Sequence, residues 1–419
     1  MDTIKLFGLP ARTGRWLIIP LGMAAMLCLG TVYSWSIFRK PLEGWLHVGA
    51  TASLLPYTIF LAVFAILMPI TGFFIDKLGT RVVLAIGGVV MGVGYLLSGF
   101  VSNIPLLILT YGGIAGAGVG IAYGVPLVVT ARWFPDKKGF AIGLTVLGFG
   151  LSPLITAPLT KSLIKQYGIQ PAFDILGIAF ILLLVGIAFL LREPPAHWQP
   201  TSTETVQAKV MPSEGMNVKQ MLQSQTFYGL WLCYIIGGFV GLSAIGISSS
   251  VAQEIIKLDE TTAAISVSLF AIFNGGGRIL FGWLTDRIKP KAAAMTTFGL
   301  MLFASIIMLY AKAGDTVSYL LGFSIFWLCL GGWLAIAPTA TLSFFQAPNY
   351  AKNYGIVFTA YGLGALFGSL VAGSIRDFFG SYTYAFYPMA GLAIIGMFIA
   401  VFLLKPLPSA VKVKSELLH

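Results

Sequence analysis

Residues 72–81 read GFFIDKLGTR, and residues 282–291 read GWLTDRIKPK. In each, a glycine is followed four residues later by an aspartate and then a cation: Gly72, Asp76 and Lys77 in the first, Gly282, Asp286 and Arg287 in the second. Each follows a long apolar run, and positions 72 and 282 are 210 residues apart in a chain of 419. The same punctuation at equivalent places predicts a chain made of two similar halves.

The composition says what the halves are made of. Apolar residues are 57% of the chain and charged residues only 10%, against about 25% charged in a soluble domain. The 49 glycines suit close helix contact in lipid. Twelve apolar segments of roughly 20 residues or more can be drawn, the length a hydrocarbon core requires. They run over 15–38, 50–76, 81–101, 104–132, 138–165, 172–191, 225–253, 261–285, 292–312, 316–345, 352–375 and 382–404. The first continues into the second after a short loop and reads as a retained span, not a signal peptide. Residues 192–224 are polar and rich in Pro, Ser and Thr, and read as a linker. The expected organisation is a six-helix bundle over 1–191, the linker 192–224, and a second bundle over 225–419 with a short tail. Internal repeats of this kind mark secondary transporters.

The net charge of +11 does not point to nucleic acid, because the cations lie in short loops between spans. Lys and Arg are concentrated on the side of the two termini, which predicts cytoplasmic termini. Cys28, Cys233 and Cys329 fall inside apolar runs and offer neither a disulfide framework nor a metal site. His47, His197 and His419 sit in loops or at the terminus. With no acid in mid-span either, no catalytic residue, metal or cofactor is expected, and an enzyme is not.

Arg278 is the exception among the cations, being the only charge between Thr261 and Thr285. Eight residues separate it from Asp286, about 12 Å along a helix. A charge at that depth costs at least about 2.5–3.5 kcal/mol, and arginine does not shed it. None of the 15 acids lies in mid-span. Either an anionic substrate supplies the partner, its carboxylate meeting the guanidinium fork bidentately, or the arginine is structural and bonded to backbone carbonyls, helped by Gly275–Gly277. Asn274 lies one turn away on the same face and can orient the fork. Tyr33, Tyr123 and Tyr361 recur in spans 1, 4 and 11, each offering an apolar wall and one hydroxyl.

The loop signature G-x-x-x-D-[KR]-x-G-x-[KR] resembles that of the major facilitator superfamily. Residues 72–81 fit it in full, and the second copy lacks its second glycine. Within that superfamily ARWFPDKKGFAIGLTVLGFG (131–150) looks like the segment entering span 5 of monocarboxylate transporters and oxalate–formate antiporters. GAGVGIAYG (116–124), NGGGR (274–278) and AKNYG (351–355) look most like the antiporter branch. The resemblance implies an all-α membrane protein of twelve helices in two bundles, a central cavity, and alternating access for small carboxylates. It implies a latch at the loop signatures, with Asp76, Arg81, Asp286 and Arg287 as gating residues.

It also implies a site. Tyr33 and Tyr123 match antiporter tyrosines. The antiporter's second cation, a lysine in span 11, aligns with Tyr361; two tyrosines of its oxalate cage align with Phe149 and Leu334, and a tryptophan with Leu330. Phe358 joins this lining. A mammalian-type monocarboxylate transporter carries an aspartate where this chain has Asn274, which cannot titrate. One cation in a more aliphatic site suits a monocarboxylate such as lactate or pyruvate. The expected partners are that substrate, with a proton, and the lipid of a bacterial-type inner membrane. An oxalate–formate exchanger is the alternative.

Overall fold

The computed structural model describes residues 5–195, 198, 216–345 and 350–405, apart from the side chains of residues 71–73, 76, 138 and 351. A two-residue hairpin of β1 (Lys5–Leu6) and β2 (Leu9–Pro10) opens it. The first six crossings are α1 (Ala11–Leu46), α2 (Ala50–Leu78), α3 (Thr80–Gly99), α4 (Ile104–Trp133), α5 (Lys138–Tyr167) and α6 (Ile169–Leu190). After a one-turn helix at Val218–Leu222 comes α7 (Gln225–Ile256). The helical stretch Glu260–Tyr310 has 51 residues, about 76 Å of helix and far more than a bilayer core needs. It breaks at Lys289, giving α8 over 260–288 and α9 over 290–310. Then follow α10 (Thr316–Phe345), α11 (Tyr350–Phe379) and α12 (Tyr382–Leu403). Twelve crossings put both ends of the chain on one side, here called the terminal side; the other is the far side.

Short polar residues start several helices by capping free N–H groups. Asp259 Oδ1 accepts from the amides of Thr261 and Thr262 at the head of α8, and Ser224 Oγ accepts from Phe227 at the head of α7. The break between α2 and α3 falls at Gly79, with φ 79° and ψ 158°. The repeat puts Lys289 at the matching position, with φ 71° and ψ 156°. The turn survives although its glycine does not. A lysine is thus held in backbone space that is nearly glycine-only.

α1 corrects one sequence reading. It runs past the expected end at 38 to Leu46, so Arg39, Lys40 and Glu43 ride on helix and not in a loop. Arg39 is fully buried there.

In the first six helices α3 packs on α4 and α6, and α1 on α5; in the last six α9 packs on α12, Phe298 against Gly396, and α7 packs on α10 and α11. Between the sixes the main contacts are α2 with α11, α5 with α8, and α1 with α7. Large apolar side chains face outward on α6 and α12, among them Leu182, Phe189, Phe398 and Phe402. This is the reverse of a soluble surface and suits lipid. Most of the linker, residues 196–197 and 199–215, lies outside the described residues.

Candidate functional site

Arg278 on α8 points across the divide between the two sixes. Its Nη1 donates to the Val146 carbonyl of α5 at 3.1 Å, and its Nη2 to Asn274 Oδ1 at 3.4 Å. Asn274 is itself fixed, donating Nδ2 to the Trp327 carbonyl at 3.1 Å. The guanidinium stands 5.8 Å from the Phe149 ring centre. Its Nε is buried without a hydrogen-bond partner. No ion pair joins it to a carboxylate among the described residues. The backbone carbonyl that holds the arginine is thus that of Val146 on α5 and not one beside Gly275–Gly277. Yet Nε keeps no partner, and no carboxylate among the described residues compensates the positive charge.

Close approach of the helices sets this geometry. A Cβ at Gly150 would come 2.7 Å from Asn274 Oδ1 and 3.1 Å from Arg278 Nε; one at Gly331 would lie 2.0 Å from the Asn274 carbonyl oxygen. Any side chain at either place displaces the pair.

Aromatic rings wall the same place. Tyr33 and Tyr361 share a hydrogen bond between hydroxyls, 2.8 Å apart, across the divide. Tyr33 meets Phe149 edge-on at 5.1 Å, and Phe149 meets Tyr123 at 5.4 Å. Tyr33 and Tyr123 both lie close enough to Arg278 to feel its charge. Phe358 stacks on Tyr361 at 5.1 Å. Seven expected residues therefore come together: Arg278, Asn274, Tyr33, Tyr123, Tyr361, Phe149 and Phe358. Leu330 packs against Gly241 of α7, and Leu334 is partly exposed. Sequence reasoning missed Phe64, which touches Tyr123, Phe149, Phe358 and Tyr361, and Trp327, which adjoins Tyr33 and accepts from Asn274. An aromatic residue within an apolar span carries no signal of which way it points.

Above the site, toward the far side, the sixes are joined by polar contacts. Arg39 of α1 donates to Ser53 Oγ, Glu43 Oε1 and the Ala50 carbonyl in the first six, and to Ser250 Oγ at 2.9 Å and Tyr382 Oη at 2.5 Å in the last six. Glu254 of α7 pairs with Lys40 of α1 and, at 2.5 Å, with Arg376 of α11. Asp377 of α11 caps the start of α2, accepting from the amides of Ala50 at 2.7 Å and Thr51 at 2.8 Å. That is a favourable place for an anion, at a helix N-terminus. Lys161 of α5 pairs with Glu260 of α8. Deeper, Tyr57 donates to the Leu242 carbonyl at 3.1 Å. Toward the terminal side, apolar contacts join the sixes among the described residues: Phe64 against Phe358, and Pro69 beside Gly355.

The residues expected to gate lie on the terminal side. Arg81 Nε donates to the Leu191 carbonyl at 3.1 Å, within the first six. Arg287 stacks over Trp283 at 4.6 Å, and Asp286 is exposed. The side chain of Asp76 lies outside the described residues. Among the described residues, the polar closure between the sixes stands on the far side. The terminal-side ion pairs Arg15–Asp136 and Arg132–Glu193 stay within one six and its following segment. Arg15 grips Asp136 with two bonds, at 2.6 and 2.9 Å, and holds its carboxyl below the usual carboxylate range.

Comparisons with known proteins agree with this architecture. Residues 16–351 match the sequence model of the Major Facilitator Superfamily. The chain is 31% identical over 412 residues to the oxalate:formate antiporter of Oxalobacter formigenes, covering 96% of this chain and 95% of that one. It is 25% identical to human monocarboxylate transporter 2, covering 90% and 83%. Among solved structures, a bacterial homologue of the human lysosomal transporter Spinster, inward-facing and occupied, superposes with a TM-score of 0.69 at 14% identity, covering 95% and 97%. That last likeness speaks for the fold alone.

Proposed function

Because the chain belongs to the major facilitator superfamily, a family of transporters and not of enzymes, we propose that it is a secondary active transporter of small monocarboxylates. It carries lactate- or pyruvate-like anions by alternating access, together with a proton. The membrane is the bacterial-type inner membrane, with both termini cytoplasmic. Residues 1–191 and 225–419 rock against each other about Arg278, and 192–224 tether them on the cytoplasmic side. Asp76, Arg81, Asp286 and Arg287 latch that side when it closes.

One observation carries the reading. Arg278 has no carboxylate partner among the described residues and an Nε without a hydrogen bond, between the two bundles and within aromatic walls. A carboxylate supplies the counter-charge and accepts bidentately. Tyr33, Tyr123 and Tyr361 add hydroxyls, while Phe149 and Phe358 receive a short organic tail. A single cation neutralises a single carboxylate. The proton offsets the cost of moving an anion against a negative-inside potential, about 2.3 kcal/mol per 100 mV.

A second reading, an oxalate–formate-type exchanger, is favoured by the 31% identity over nearly the whole chain. Proteoliposomes holding only this protein separate the two. Symport predicts that an inward proton gradient drives labelled lactate into vesicles with no internal substrate. Uptake that requires internal formate or oxalate, and ignores the gradient, supports exchange. No carboxylate uptake under either condition removes both.

A further inference from the structure

Glu254 on α7 is held as a carboxylate ligand would be. Two cations grip it, Lys40 from α1 and Arg376 from α11. Lys40 also lies 3.5 Å from Glu43 on its own helix. Unlike Arg39, which is sealed, these groups reach solvent on the far side: the side chains of Lys40 and Arg376 are each 30% exposed and that of Glu254 18%. The pair spans the divide, so it holds the far side shut only while Glu254 is the anion on Lys40.

We propose that the Lys40–Arg376 clamp is a second, outer carboxylate site, occupied in the closed state by the protein's own Glu254, and that a carboxylate arriving from the far side displaces Glu254 and thereby unlatches the two bundles. The displaced glutamate keeps Arg376, while the incoming anion keeps Lys40, so no charge is left unpaired. The interaction is partly exposed and weak, as such pairs are, and a freely soluble anion can compete for it. Arg39, Asp377 and Tyr57 then part in turn, opening the way to Arg278. The proposal rests on the carboxylate reading of the transporter.

Two substitutions distinguish competition from a plain latch. Lys40→Gln and Glu254→Gln remove the same ion pair. If it is only a latch, both shift far-side uptake the same way. If Glu254 competes with substrate for Lys40, the KM for far-side lactate falls in Glu254→Gln and rises in Lys40→Gln, each by about threefold or more, the scale of a partly exposed pair. Uptake from the terminal side keeps its KM in both. Shifts of the same sign overturn the proposal and leave the transport reading standing.

A second measurement does not need transport. Ser36 lies one turn below Lys40 on the same helix face, is buried, and its hydroxyl has no hydrogen-bond partner. In Ser36→Cys, lactate on the far side, but not neutral lactamide, speeds labelling by an impermeant maleimide about threefold or more. Adding Lys40→Gln abolishes the lactate effect. A labelling rate indifferent to lactate overturns the proposal. A lactate-dependent rate in a chain that transports no carboxylate keeps the outer site and removes the transport reading.

Discussion

Tyr33 and Tyr361 join their hydroxyls at 2.8 Å, one from each bundle, beside the guanidinium of Arg278. The bond closes the site with neutral groups where a second cation would change its charge. Tyr361→Lys supplies that cation. A dianion such as oxalate is then neutralised at both ends, while a monoanion leaves one charge unpaired, a penalty of several kcal/mol before water and relaxation soften it. The ratio of lactate to oxalate affinity, measured by mutual competition, is expected to fall at least tenfold. An unchanged ratio places selectivity elsewhere in the lining.

Arg278→Ala is expected to abolish carboxylate binding and uptake while the protein still folds, since the arginine's contacts with Val146, Asn274 and the rings around it include no ion pair among the described residues. Arg278→Lys also fails, because an ammonium lacks the planar fork. Isothermal titration with lactate and a melting curve on each variant make the check. Near-native affinity in the alanine variant would mean a purely structural arginine.

Arg39→Ala is expected to destabilise this far-side-closed conformation by about 3 kcal/mol or more, the scale of breaking a buried charge network. It strips partners from Glu43, Ser250 and Tyr382 at once. A clear drop in melting temperature is the readout, and an unchanged melt would show that the network contributes little.

Lys289→Gly is expected to stabilise. The φ of 71° with ψ of 156° costs a side-chain-bearing residue of order 1–3 kcal/mol. Glycine's greater freedom when unfolded returns about 0.5–1 kcal/mol of that. The melting temperature should rise by a degree or two with transport unchanged; a fall would mean that the lysine side chain makes contacts worth more than the strain.

Asp136 gives a pH dependence on the terminal side. Its hydrogen bonds from Arg15 lower the folded pKa below the ordinary 3.8. The pair's stabilisation is therefore fully present above that value and is lost as pH falls through the lower, folded one. The parent should melt above Asp136→Asn from neutrality down to about pH 4, with the gap closing in more acid solution. A gap that opens only in acid would reverse the sign and refute the assignment.

The apolar runs and the repeated punctuation at 72 and 282 determined the number of crossings and the doubling. A lipid solvent demands long apolar helices and leaves few alternatives. Arg278 was legible for the same reason: a lone permanent charge in such a run has a cost that something must meet. Tertiary structure alone decided the rest. Phe64 and Trp327 look like any apolar residue until neighbouring helices turn them inward. The sequence put Arg39, Lys40 and Glu43 in a loop, because charge near a span's end usually lies in the polar interface. In the fold, partners from distant segments, Ser250, Glu254, Arg376 and Tyr382, compensate those charges. Helix can therefore continue through them to Leu46 and draw Arg39 inside. Lys289 follows the same logic, since the packing of α8 and α9 over-determines a turn that its own residue disfavours. Local pattern sets which segments enter the membrane. Which charges and rings face one another is set by contacts between residues far apart in the chain, and no local pattern records those.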